Sequence, residues 1–245
     1  MASSEEARQL RAANAELVGL VTDELESIFY ALNLERPEQT RDAMIEVLPL
    51  LLDKYGPIAG QISADWYRMM MPGSKPEVIG SKIKLEQIQR KVHWAAADLF
   101  TDNPFATLRK LTSTMGVWAR QPGRETIQIN ANRDKVGWGR IPSGPKTCAF
   151  CLMLASRSGA WLYNSEESAL RAGHGDKYHH ECNCEPMLIR GADDLPDTGF
   201  DHRGAYVAYS QAIESVGGAA SPDEITAALR RMFPDLLTDG VHEIY

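Results

Sequence analysis

The sequence predicts a mainly helical α+β fold: a helical N-terminal region, a small loop-rich α+β module stapled through its cysteines, and C-terminal helices. Three observations carry this. Apolar residues recur at helical spacing through roughly the first half of the chain. From Gln121 that period gives way to turn residues and short apolar pieces. All four cysteines lie between Cys148 and Cys184. The divisions drawn from these shifts are residues 1–119, 120–200 and 201–245.

Leu10, Leu17, Val21, Leu25, Ile28 and Leu32 stand three, four or seven residues apart and build one apolar stripe on a long first helix. Ser3 or Ser4 suits its N-cap, and Glu5 and Glu6 suit its first turn. The helix is expected to end near Asn33, ahead of Pro37. Pro37 fits the first turn of a second helix that carries Met44, Val47, Leu48, Leu51 and Leu52. Pro49 is expected to kink or interrupt it, and Gly56 with Pro57 to end it. A third helix is then expected over residues 58–71 through Ala59, Ile62 and Trp66, followed by a loop at PGSKP.

Two further helical patterns follow, Leu85, Ile88, Val92, Ala95 and Leu99, then Leu108, Leu111, Met115 and Trp118, with Pro104 as a start signal. GRETIQIN alternates as a strand does, and VGWGRIPSGP is rich in turn residues. Short strands and turns are therefore expected until about residue 203. AYVAYSQAIESV and PDEITAALRRMF read as closing helices, the second capped by Ser221 with Pro222 in its first turn.

Charge is unevenly placed. Residues 1–60 hold 5 Lys/Arg against 11 Asp/Glu, and residues 191–245 hold 3 against 10, whereas residues 82–140 hold 11 against 5. A solvated helical face accounts for the basic segment most simply; contact with DNA or another polyanion, or with an acidic protein, is the sharper reading. No apolar run approaches the roughly 18 residues of a membrane span, and MASSEEARQL has neither a basic nor an apolar leader segment. The expected compartment is reducing, where clustered thiols point to metal before disulfides.

Cys148 and Cys151 form a C-x-x-C knuckle, and about thirty residues later YHHECNCEP supplies His179, His180, Cys182 and Cys184. Two ligands from each turn complete a tetrahedral zinc site, and zinc binding then supplies folding energy where apolar burial is thin. Cys182 with Cys184, or His179 with either, can fill the second pair. Catalytic zinc would also need an open position and an acid or base. His174, Asp176, His180 and Glu181 lie nearby, yet none stands at a recognised catalytic spacing, and the serines of LASRSG lack the G-x-S-x-G setting. Were the chain an enzyme, His174, His180 and Glu181 would be its candidate catalytic residues, with His179 if that side chain stays off the metal.

GWGRIPSGPKTCAFCLMLASRSGAWLY followed by YHHECNCEP resembles the conserved block of phage Mu F-like minor head proteins, in the form found in phages of actinobacteria. Cys148 and Cys151 match that family's first pair, Gly159 and Tyr163 its turn, and His179, Cys182 and Cys184 its second cluster. His180 stands where proline is usual and Asn183 where arginine is usual. The resemblance covers residues 120–190 well and the N-terminal helices only in character. It implies a minor capsid protein that joins the portal inside the virion, is assembled in the host cytoplasm, and aids head assembly or genome delivery beside the major capsid protein. Family members are often labelled capsid maturation proteases, but no protease triad, dyad or metalloprotease helix is visible here. A structural head protein is thus the leading reading. A maturation protease or a nuclease- or toxin-like enzyme comes next, and a cellular zinc-bearing interaction module third.

Overall fold

The computed structural model describes residues 4–158, 184–189, 195–218 and 220–241. Among the described residues it is mainly helical, with seven α-helices and one two-stranded sheet. The chain divides into two compact units. One is Leu10–Thr126; the other joins Met1–Gln9 to the described residues from Ile127 onward.

The helical unit contains most of α1 (Ser4–Tyr30), all of α2 (Pro37–Met70) and α3 (Leu85–Ala96), and α4 (Phe105–Arg133) as far as Thr126. Burial follows the sequence stripe: Leu17, Val21 and Leu25 are buried on α1, Met44, Leu48, Leu51 and Leu52 on α2, Ile88, Val92 and Ala95 on α3, and Leu108, Leu111 and Met115 on α4. These side chains form one apolar core, the dominant favourable contribution to folding such a unit. Leu99 continues the α3 stripe from a 3₁₀ turn, Ala97–Phe100.

The expected break at Gly56–Pro57 does not occur. α2 runs for 34 residues, about 51 Å, straight through Pro49 and Pro57. An interior proline removes one helical hydrogen bond and costs about 3 kcal/mol or more. Here Pro57 is exposed, as is Asp53, whose carbonyl loses the bond, so water can take it. The buried side of the helix continues uninterrupted through Tyr55 and Ala59. Gly56 is there for closeness: a Cβ would meet the Ser81 Cβ at 3.2 Å and Pro122 Cγ at 3.4 Å. Gly123 on α4 is tighter, since a Cβ would stand 2.6 Å from Ser63 Oγ and 2.8 Å from the Ala59 carbonyl.

GRETIQIN is likewise helical rather than extended, because α4 continues through Pro122 to Arg133. Its alternation arises from polar residues in buried positions, Thr126, Gln128 and Asn130. Thr126 shows how such a residue is satisfied: its hydroxyl donates to the Pro122 carbonyl at 2.8 Å and accepts from the Ile79 N–H at 3.0 Å.

In the second unit β1 (Trp138–Ile141) pairs antiparallel with β2 (Glu185–Leu188), aligning Trp138 with Leu188 and Ile141 with Glu185. Both strands are buried along their whole length. Between them in sequence lies α5 (Ala149–Ser158), where only short strands and turns were expected. α5 packs against β1 and against α6 (His202–Ser215) and α7 (Pro222–Met232). Asp201 caps α6 by accepting the Gly204 N–H at 2.9 Å. Ser221 caps α7 as its sequence predicted, and Glu224 returns the bond to the Ser221 N–H at 2.7 Å. No helix among the described residues is long and apolar enough to cross a membrane.

Candidate functional site

The two halves of the cysteine constellation meet where α5 begins and β2 begins. Cys148 immediately precedes α5, and its carbonyl accepts the Leu152 N–H at 2.9 Å. Its sulfur also accepts the Cys151 N–H at 3.2 Å. Cys148 therefore does at this helix what serine or aspartate does at others, satisfying an amide that has no partner within the helix. The C-x-x-C spacing is thus the geometry of a helical first turn. Cys151 is carried toward the strand pair, and its thiol lies 3.2 Å from that of Cys184, the residue before β2.

Cys148, Cys151 and Cys184 are all buried, and form a cluster of their own with Phe150 against it. A disulfide holds its sulfurs about 2.05 Å apart, so the 3.2 Å separation is a contact between two thiols. Two sulfurs on one tetrahedral zinc, each at about 2.3 Å, stand roughly 3.8 Å apart. The pair lies nearer that spacing than the disulfide one, and a sulfur that accepts an N–H bond keeps lone pairs for a metal. Among the described residues, no group of three or more His, Cys, Asp or Glu side chains has the arrangement to hold a metal ion. The fold thus gathers three of the five sequence candidates. His179 and Cys182 lie outside the described residues, as do His174, Asp176, His180 and Glu181.

The surroundings of the thiols are partly ionic. Arg140 on β1 is buried, with its guanidinium carbon 5.8 Å from the centre of the Phe150 ring, and Glu185, next to Cys184, is buried as well. At the amino end of α5 the Cys151 N–H is turned to the Cys148 sulfur, a setting that favours negative charge there.

Sequence reasoning missed the support behind this turn. Asp239 accepts the Ala149 N–H at 2.8 Å with one carboxylate oxygen and the Arg230 Nε–H at 2.9 Å with the other. Thr147 pairs with Leu237 in an isolated parallel bridge, and its carbonyl accepts the Thr238 N–H at 3.0 Å. The segment after α7 therefore holds both ends of the Thr147–Ala149 turn. Nothing local in the sequence signals a partner 90 residues away.

A family model described as VG15 protein matches residues 1–212. No curated protein and no solved structure matches the chain.

Proposed function

Because the chain belongs to the VG15 protein family, and is on that ground phage-encoded, we propose that it is a minor capsid protein of the Mu F-like kind. In this reading it associates with the portal on the inside of the head and assists capsid assembly or genome delivery. The observation that carries the reading is the meeting of Cys148 and Cys151 with Cys184 in a chain of viral family. The same cysteines are the ones through which the sequence resembles the Mu F-like block.

The second part of the proposal is a structural zinc held by Cys148, Cys151 and Cys184, with His179 or Cys182 as the fourth ligand. The Cys151 and Cys184 thiols, 3.2 Å apart with Cys148 in the same cluster, are soft donors of the type zinc takes in structural sites; the three described cysteines alone do not form a metal-holding group, so the proposed site is completed only with its fourth ligand. Bound there, zinc would supply a cross-link between the start of α5 and the start of β2. The chain's own residues do the rest: the Cys151 N–H orients the Cys148 sulfur, Asp239 fixes the first amide of α5, and the paired strands hold Cys184 in reach.

Co-expression with the phage's portal and major capsid proteins tests the head role. The expected result is copurification with the portal and recovery of the chain in purified heads. Absence from virions together with no portal binding would overturn it. Cleavage of the major capsid protein by the pure chain, abolished by Glu181→Gln, would replace it with the maturation-protease reading.

A further inference from the structure

The helical unit carries a surface that the cysteine site does not involve. Trp94 on α3 is 50% exposed, and Leu85 at the start of the same helix is exposed too, while Ile88, Val92, Ala95 and Ala96 are buried. Two ammonium groups lie over its ring, Lys91 Nζ at 4.7 Å and Lys110 Nζ at 4.8 Å from the centroid. Beside the indole is an open depression of about 240 Å³ lined by Trp94, Ala106, Arg109, Lys110 and Ser113. Phe105, adjacent to Ala106, is also half exposed and contacts the exposed Tyr30, with ring centres 6.0 Å apart. Asp98 pairs with Lys110 at 2.7 Å beside the ring.

Aromatic faces open to solvent and interleaved with cations form a surface on which unpaired bases stack while phosphates meet lysine and arginine. The depression is smaller than the roughly 300 Å³ at which sites for whole small molecules begin, so it suits one flat ring. Duplex DNA presents phosphates but keeps its bases stacked within the helix, and an acidic peptide would use the cations while leaving the indole idle.

We propose that the α3–α4 surface binds single-stranded nucleic acid, with Trp94 as the stacking platform for a base and Lys91, Arg109 and Lys110 as phosphate contacts. A base arriving on Trp94 displaces one ammonium group from the ring, and that group is then placed to meet the neighbouring phosphate. The proposal deepens the reading of the basic segment 82–140 and takes its biological setting from the phage reading. Its test stands apart from the head role. A chain that joins the portal but ignores an oligonucleotide loses only this surface, and one that binds the oligonucleotide but not the portal loses only the head role.

Fluorescence anisotropy of a labelled oligothymidylate titrated with the full chain reads the binding. Far-UV circular dichroism checks that each variant is folded. Trp94→Ala is expected to weaken binding about tenfold while leaving its salt dependence unchanged, and Trp94→Phe to retain most of the affinity. Lys91→Ala combined with Arg109→Ala is expected to make the slope of log affinity against log salt shallower by about 1.4. Four results would overturn the proposal: no saturable binding at low salt, a Trp94→Ala chain that binds as tightly as the native one, duplex DNA of the same length binding as tightly as the single strand, or full displacement by polyglutamate at equal charge. The last would make the surface a dock for an acidic protein.

Discussion

The helical unit and the cysteine-bearing unit are stabilised in different ways. In Leu10–Thr126 long helices share one apolar core, and where they touch most closely small residues let backbone meet backbone. From Ile127 onward the strands are four residues each, and the interior includes Arg140, Glu185, Thr147 and three thiols. A unit of the first kind is specified by periodicity and volume. One of the second kind depends on particular polar partners, because a buried polar group left unpaired costs more than a typical hydrogen bond contributes.

The sharpest way to break the first half of the comparison is Phe29→Ala. Phe29 is fully buried in the helical core and packs on Phe105 with ring centres 6.4 Å apart. Its truncation is expected to cost about 3–5 kcal/mol, read as a lowered urea midpoint. Gly123→Ala comes next and has a counterintuitive sign. Alanine ordinarily favours a helix over glycine by about 1 kcal/mol, yet here the methyl would press on Ser63 Oγ and the Ala59 carbonyl. A loss of about 1–3 kcal/mol is expected. An increase in stability would show that α2 and α4 do not meet so closely.

Asp239→Ala probes the second unit, since it removes the acceptor of the Ala149 amide and the partner of Arg230. Asp239 and Arg230 are each about a third exposed, at 34%, so the ion pair is partly screened and the cap bond is the larger part. About 1–2 kcal/mol is expected, with faster hydrogen exchange at the Ala149 and Thr238 amides. The smallest effect belongs to the helical unit's surface. Glu24 accepts from Lys54 Nζ at 2.6 Å and from the Tyr55 hydroxyl at 2.5 Å, and these bonds hold its carboxyl below the ordinary carboxylate value. A depressed acid contributes stability above its unfolded pKa and loses it as pH falls through the folded one. Glu24→Gln should therefore flatten the acid limb of a stability–pH curve. The same contacts raise Lys54 and Tyr55, so the variant should also remove a contribution lost at alkaline pH. An unchanged curve at both ends would mean the triad contributes nothing in solution.

The two units also differ in how plainly the sequence announces them. The α1 stripe and the Ser221 cap are local patterns, and local patterns survive reading one residue after another. Gly56 misleads because a glycine that ends a helix and a glycine that admits a neighbouring helix look alike until the neighbour is in place. α5 leaves no stripe because Ala149 and every residue from Cys151 to Ser156 are buried, and a helix covered on all sides has no polar face to set a period. The thiols Cys148 and Cys151 were legible as a pair, and Cys184 as a member of the second cluster. Their support by Asp239 and Thr147 was not, since it depends on the return of the chain after α7.

The proposed zinc staple at the thiol cluster would make the contrast between the units sharpest. The direct measurement is metal content per chain of the purified full-length protein, alongside Cys148→Ser and Cys184→Ser, with thermal melting before and after chelation. The account predicts about one zinc per native chain, lost in both variants, and a melting temperature that falls with chelation. A native chain that is folded, free of zinc and indifferent to chelator would contradict it.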